Sequence, residues 1–103
     1  MIRLSDATIL RVRRLFPESE RAVVAGQLLE ECGDNLPGVG SDYSQLAERI
    51  RFAVLKLSGG DPGKLLAAIE GAGRDWRDTL MAAGFGHDQK AHLAWQPDCK
   101  HDS

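Results

Sequence analysis

The segment from Leu46 to Leu57 is apolar on two sides, and this constrains the fold more than any other feature of the chain. Leu46, Ile50, Ala53, Val54 and Leu57 recur at helical spacing along one face, while Phe52 and Leu55 point to the other. A helix apolar on both sides is usually central, packed by neighbours on more than one flank. The other reading makes Phe52 and Leu55 an exposed stripe that binds a partner or a second copy of the chain. Asp42-Tyr43-Ser44-Gln45 is a capping box with Asp in place of Ser or Thr, so the helix starts after Asp42; it stops at Gly59-Gly60.

Shorter helices flank it on both sides. Ser5 or Asp6 starts the first, which runs to about Phe16 with Ile9, Val12 and Phe16 on one face and Arg11 and Arg14 off it. Pro17 ends that helix and opens a second over about Glu18 to Cys32, whose apolar face is Val24, Ala25, Leu28, Leu29 and Cys32. Gly33 to Ser41 is the longest loop, either a hinge or an ordered crossover pinned by Leu36 and Val39. Asp61-Pro62 caps a fourth helix that runs to about Glu70 and breaks at Gly71-Ala72-Gly73. A fifth spans Asp75 to Ala83. Trp76, Leu80 and Ala83 should face inward there, and Gly84 should close it in a left-handed cap that brings Phe85 back onto Leu80. A last short helix over Asp88 to Trp95 ends at Pro97.

No stretch alternates with period two for long enough to make a strand. The expected fold is therefore all-α: a compact orthogonal bundle of five or six short helices without a sheet. It forms one helical domain over residues 1–97, followed by a frayed polar tail, 98–103. At 103 residues, 43% hydrophobic and 27% charged, the chain can bury a core without metal or disulfide. Cys32 and Cys99 are expected as two free thiols in a reducing compartment, with a tail-to-helix disulfide as the alternative. Met1 to Asp6 lacks the apolar core of a signal peptide, and no apolar run approaches the ~18 residues of a membrane span. The expectation is a cytoplasmic protein with no membrane contact.

Each motif with possible chemistry has a simpler structural explanation. Ser58 to Leu65 lines up with a phosphate-binding loop, but Ser58 replaces its first glycine, Leu65 its hydroxyl, and a helix precedes it where a strand is needed. It reads as a Gly-Gly helix stop followed by an Asp-Pro start. Asp88 and His92 share a helix face and, with Cys99 or His101, could gather round zinc, yet neither HExxH nor paired CxxC spacing is present. They read as solvated surface groups, and His87 does too. Cys32 has no histidine near it in sequence, and its apolar position predicts an inert thiol. Asp75 and Asp78 suit a helix start, and Glu30 and Glu31 a solvated face. No catalytic residue, metal or cofactor is expected.

Two partner classes remain. Arg3, Arg11, Arg13 and Arg14 make the first helix basic, and Arg49, Arg51 and Lys56 add charge to the third, which would suit a phosphate backbone. Against that stand a net charge of −2 and the acidic start, Asp75-Trp76-Arg77-Asp78, of the helix that would recognise DNA. The leading expectation is a non-enzymatic protein–protein interaction module, self-association included. Its candidate contacts are Phe52, Leu55 and Trp95, with Arg11 and Arg14 for the alternative, a small nucleic-acid-associated regulator. A metal-dependent enzyme ranks last.

The run Arg49-Ile50-Arg51-Phe52-Ala53-Val54-Leu55-Lys56-Leu57-Ser58-Gly59-Gly60-Asp61, followed by Asp75-Trp76-Arg77-Asp78 and Ala82-Ala83-Gly84-Phe85, resembles a group of small uncharacterised bacterial all-helical proteins. The resemblance covers about residues 46–95. It implies a helical fold and carries no activity, cofactor or site.

Overall fold

Ser5 lies in extended backbone and its hydroxyl accepts the Thr8 N–H at 3.2 Å, which starts α1, Asp6–Leu15. In the computed structural model, which describes residues 3–36, 44–88 and 90–97, α1 turns Thr8, Arg11, Val12 and Leu15 to the core. This stripe is rotated from the expected one: Ile9 faces outward, 43% exposed, while Val12 and Phe16 are buried. The physical reason is that both polar members of the buried stripe have partners. The Thr8 hydroxyl is 3.0 Å from that of Ser5, and Arg11 donates to backbone carbonyls.

Pro17, in extended backbone, precedes α2, Glu18–Glu31, which buries Val24 and Leu28 and ends at the buried Cys32. Asn35 then folds the chain over: its Oδ1 accepts the Gly33 N–H and its Nδ2 donates to the Glu31 carbonyl. Leu36 is buried after this turn. Val39 and the Asp42 capping box lie outside the described residues.

α3, Ser44–Ser58, is the central helix. Ile50, Phe52, Ala53, Val54 and Leu55 are all fully buried, so both of its apolar sides are packed. It lies mainly against α4 and also touches α1 and the C-terminal turn. Leu57, expected inward, stands at the exposed edge of its face.

α4, Pro62–Ala82, replaces the two helices expected after Asp61. Asp61 caps it as expected, its Oδ1 accepting the Gly63 N–H at 2.8 Å. The chain stays helical through Gly71-Ala72-Gly73, where Ala72 is fully buried and Ile69 nearly so. Tertiary packing outweighs the weak helix propensity of two glycines, about 1 kcal/mol each. The break falls instead at Asp75, with φ −156° and ψ 96°, and its Oδ1 accepts the Arg77 N–H. Asp75 therefore restarts the helix within one kinked element. At the far end Phe85 N–H reaches the Leu80 carbonyl and Gly84 N–H the Met81 carbonyl, with Gly84 at φ +82°. This is the Schellman pairing the sequence predicts.

The expected last helix is only a 3-10 turn, Ala91–Ala94. Its tighter winding aligns residues three apart, which puts His92 and Trp95 on the same side, against Phe52 and Phe85. The described residues thus form four α-helices rather than five or six, and no strand. They share one core, with a Cα radius of gyration of 12.2 Å. The 98–103 tail, with Cys99 and His101, lies outside the described residues.

Candidate functional site

The residues that sequence reasoning offers as contacts are mostly interior. Phe52 and Leu55 have no exposed surface, which removes the stripe on α3 as a docking face. Arg11 is buried too. Its Nη2 and Nε donate to the Trp95 carbonyl at 2.9 and 3.3 Å, its Nη1 donates to the Ala7 carbonyl, and its guanidinium lies over the Phe52 ring. Desolvation pulls its pKa below the ordinary arginine value, opposed by Glu48. Trp95 is half-buried, tilted against Phe52 and Phe85. Arg14 is half-buried at the surface and donates to the Gln96 side chain at 3.3 Å.

Several other cations share one pattern: they donate to carbonyls at or just beyond helix ends. Arg21 donates to the Phe16 and Arg13 carbonyls at the end of α1. Arg51, fully buried, donates to the Leu28 and Cys32 carbonyls at the end of α2 and to the Arg3 carbonyl. Lys56 and Arg49 donate to the Ala83 and Phe85 carbonyls at the end of α4. Helix C-termini carry partial negative charge and carbonyls that mostly lack an intrahelical donor, which favours a cation there; the Leu28 carbonyl, by contrast, also accepts the Cys32 N–H. Of the basic residues that could have tracked a phosphate backbone, Arg11 and Arg51 are buried, Arg14, Arg49 and Lys56 spend donors on the protein itself, and Arg3 and Arg13 are exposed.

The candidate chemical groups are placed as follows. The loop from Ser58 to Asp61 is a helix stop: the Ser58 hydroxyl donates to the Leu55 carbonyl at 2.6 Å and accepts the Gly60 N–H. His92, expected at the surface, is buried with its ring 5.0 Å from that of Phe52. Asp88 instead accepts the Lys90 N–H. Among the described residues no group of three or more His, Cys, Asp or Glu side chains could hold a metal. Cys32 is a buried free thiol, pushed up to about 12 by desolvation, with the nearby Arg51 opposing the shift. At neutral pH it is protonated and a poor nucleophile.

Exposed apolar surface lies on more than one element: Leu66 and Met81 of α4 and Leu93 of the C-terminal turn are 52%, 70% and 49% exposed, and the outer side of the α1–α2 pair carries more of it. Ile9, Leu10 and Val23 are 43%, 41% and 63% exposed. Between the helices runs a groove of about 410 Å³ whose apolar wall includes Leu4, Ile9, Ala22 and Ala25. Arg13 and Glu18 stand on its rim. A second hollow, about 360 Å³, is formed around the α4 cap by Met81, Gly84, Gly86 and His87. Sequence reasoning missed the α1–α2 face because Ile9 fits an i, i+3 stripe with Val12. The usable signal was the pair Ile9–Leu10 between Asp6 and Arg13, spaced i, i+3, i+4, i+7 opposite the buried stripe.

No helix among the described residues is long and apolar enough to cross a membrane. No family model matches this chain, and neither a curated protein nor a solved structure is significantly similar to it.

Proposed function

We propose that the protein is a non-enzymatic protein–protein interaction module that binds through the outer face of α1 and α2. One observation carries this reading: α1 and α2 leave the large aliphatic side chains of Ile9, Leu10 and Val23 exposed, and Ile9 lines the apolar groove between the two helices. Exposed apolar surface that adjoins a groove is where a partner protein can gain burial. A protein fits this face better than a nucleic acid does, since Arg11, Arg49 and Arg51 are bound to backbone carbonyls. In this reading the module works in the cytoplasm, where the Cys32 thiol stays reduced.

The test is affinity capture from cells that express the chain natively, with the wild type and Val23→Asp compared side by side. The reading expects at least one protein, an untagged copy of the chain included, recovered stoichiometrically by the wild type and lost with the variant. Identical recovery by both proteins would overturn it.

A further inference from the structure

We propose that the C-terminal turn is an acid-released latch: a proton on His92 frees residues 91–97 from α3 while α1 to α4 stay folded. His92 is 1% exposed, and its ring meets those of Phe52 at 5.0 Å and Phe85 at 6.4 Å, both T-shaped. The uncharged imidazole packs there as one more aromatic ring. The two phenylalanine rings already carry cations. The Arg11 guanidinium lies over Phe52, and Lys56 Nζ is 5.0 Å from the centre of Phe85. Arg49 donates to the Phe85 carbonyl. A proton on His92 adds a charge that water cannot reach, close to Arg11, Arg49 and Lys56, on rings whose attraction for cations is already in use. The end of α4 meets the ring through Phe85, which is uncharged. Two acids belong to the elements around it. Glu48 of α3 acts on Arg11 and Arg51, whose charged forms it favours. Asp88, four residues before His92, is exposed and accepts the Lys90 N–H. Lys90 is exposed as well, and Arg14 of α1 donates to the Gln96 side chain.

The turn can come away alone. It is four residues of 3-10 helix, whose hydrogen bonds are poorer than those of an α-helix, and it packs mainly on α3. The four α-helices pack on one another without it. Apart from the ring contacts, Arg11 holds the Trp95 carbonyl and Arg14 the Gln96 side chain. In the released turn His92 meets water and takes up its proton in the ordinary histidine range, near ~6.5. Protons therefore favour release. The latch is fully held above about pH 6.5, and below it the ratio of released to held chains rises by up to about tenfold per pH unit.

The experiment is NMR of the full chain from about pH 7.5 to about pH 5. The Leu93 and Trp95 amides, which donate to the Lys90 and His92 carbonyls, report the turn. Their hydrogen exchange, corrected for its intrinsic pH dependence, is expected to quicken by up to about tenfold per pH unit below about 6.5, while the amides of α3 stay protected. The His92 ring signals should pass to the charged form together with this release. His92→Leu keeps an apolar side chain and removes the titration, so its corrected exchange should not change with pH. Turn amides that ignore pH in the wild type overturn the proposal, as does a His92 ring that becomes charged with the turn still in place. Equal acceleration in His92→Leu overturns it too, and so does loss of protection in α3 at the same pH, which would be global unfolding. Should His92→Leu fail to fold, the coupling of ring charge to turn release in the wild type decides alone.

Discussion

The guanidinium carbon of Arg11 lies 4.1 Å from the centre of the Phe52 ring, and the same group donates two hydrogen bonds to the Trp95 carbonyl. One side chain therefore joins α1, α3 and the C-terminal turn. Cation–ring attraction is strongest where water is excluded, as it is around these buried groups. Arg11→Met keeps much of the volume and removes every donor. It should cost about 1–3 kcal/mol, since the part-buried carbonyl of Trp95 loses a charged donor. Urea unfolding of the two proteins measures this directly, and a loss under about 0.5 kcal/mol would mean that the contact contributes little.

The register of α1 can be tested with two leucines. Leu15 is buried and Leu10 is 41% exposed on the opposite side. Leu15→Ala should destabilise by about 2–5 kcal/mol, while Leu10→Ala should stay within about 0.5 kcal/mol at concentrations where the chain is monomeric. Similar losses at both positions would show that α1 is rotated from the arrangement described. The comparison uses one substitution type on one helix, so propensity cancels.

The helix boundaries are legible in the sequence where local chemistry sets them. Ser5, Asp61, Asp75 and Gly84 all act at their expected places, because a cap involves only neighbours a few residues away. The central position of α3 is legible for a different reason: two apolar sides require two sets of neighbours. What is not legible is the placement of the cations. Arg11 and Arg51 look like solvated charge in the sequence, since the carbonyls that receive them come from distant elements: Trp95, 84 residues from Arg11, and Cys32, 19 residues from Arg51. The same blindness to distant partners hides the outer face of α1. Without knowing that Thr8 and Arg11 turn inward, Ile9 is the better core candidate. The candidate site was therefore displaced from α3 to α1 and α2 by buried polar groups, whose patterns carry no periodic hydrophobic signal.

Gly84→Ala should destabilise by about 1 kcal/mol or more, because φ is +82° and an L side chain strains that conformation. Steric clash adds little: a Cβ there would meet only the Lys56 ammonium, at 3.8 Å. For a domain of this size the loss corresponds to a fall in Tm of about 4–8 °C. A thermal melt decides it, and an unchanged Tm would show that the cap contributes nothing to stability.

Cys32 gives stability a definite alkaline dependence. Its folded pKa is raised from 9.0 to about 12 by burial. Below pH 9 the thiol is protonated in both the folded and the unfolded chain, so its contribution is fully present. Between about 9 and 12 only the unfolded chain releases the proton, and stability falls by roughly 1.4 kcal/mol per pH unit. Cys32→Ala lacks this component. Urea unfolding from pH 8 to 10.5 should therefore show the wild type losing stability faster than the variant, and parallel curves would show that the thiol is not desolvated in the folded state.

Arg51 should be the most sensitive cation in the molecule. Its Nε donates to the Cys32 carbonyl at 2.7 Å and the Leu28 carbonyl at 3.3 Å, and its Nη1 donates to the Arg3 carbonyl at 2.9 Å. These bonds tie the centre of α3 to the end of α2 and to the segment before α1. Desolvation lowers its pKa, while the nearby Cys32, Asp34 and Glu48 favour its charged form. Arg51→Met removes the buried charge but leaves the carbonyl ends without their donor, and should cost about 3 kcal/mol or more. Arg51→Lys should rescue only part of this, because a single ammonium cannot reproduce the planar fork that reaches carbonyls on two sides. Chemical denaturation with equal m-values in all three proteins gives the ranking: wild type, then lysine, then methionine. Native-state hydrogen exchange adds a local readout, in which the first turn of α1 should open more readily in Arg51→Met than global unfolding accounts for. A lysine variant as stable as the wild type would show that charge alone, and not the forked geometry, holds these three segments together.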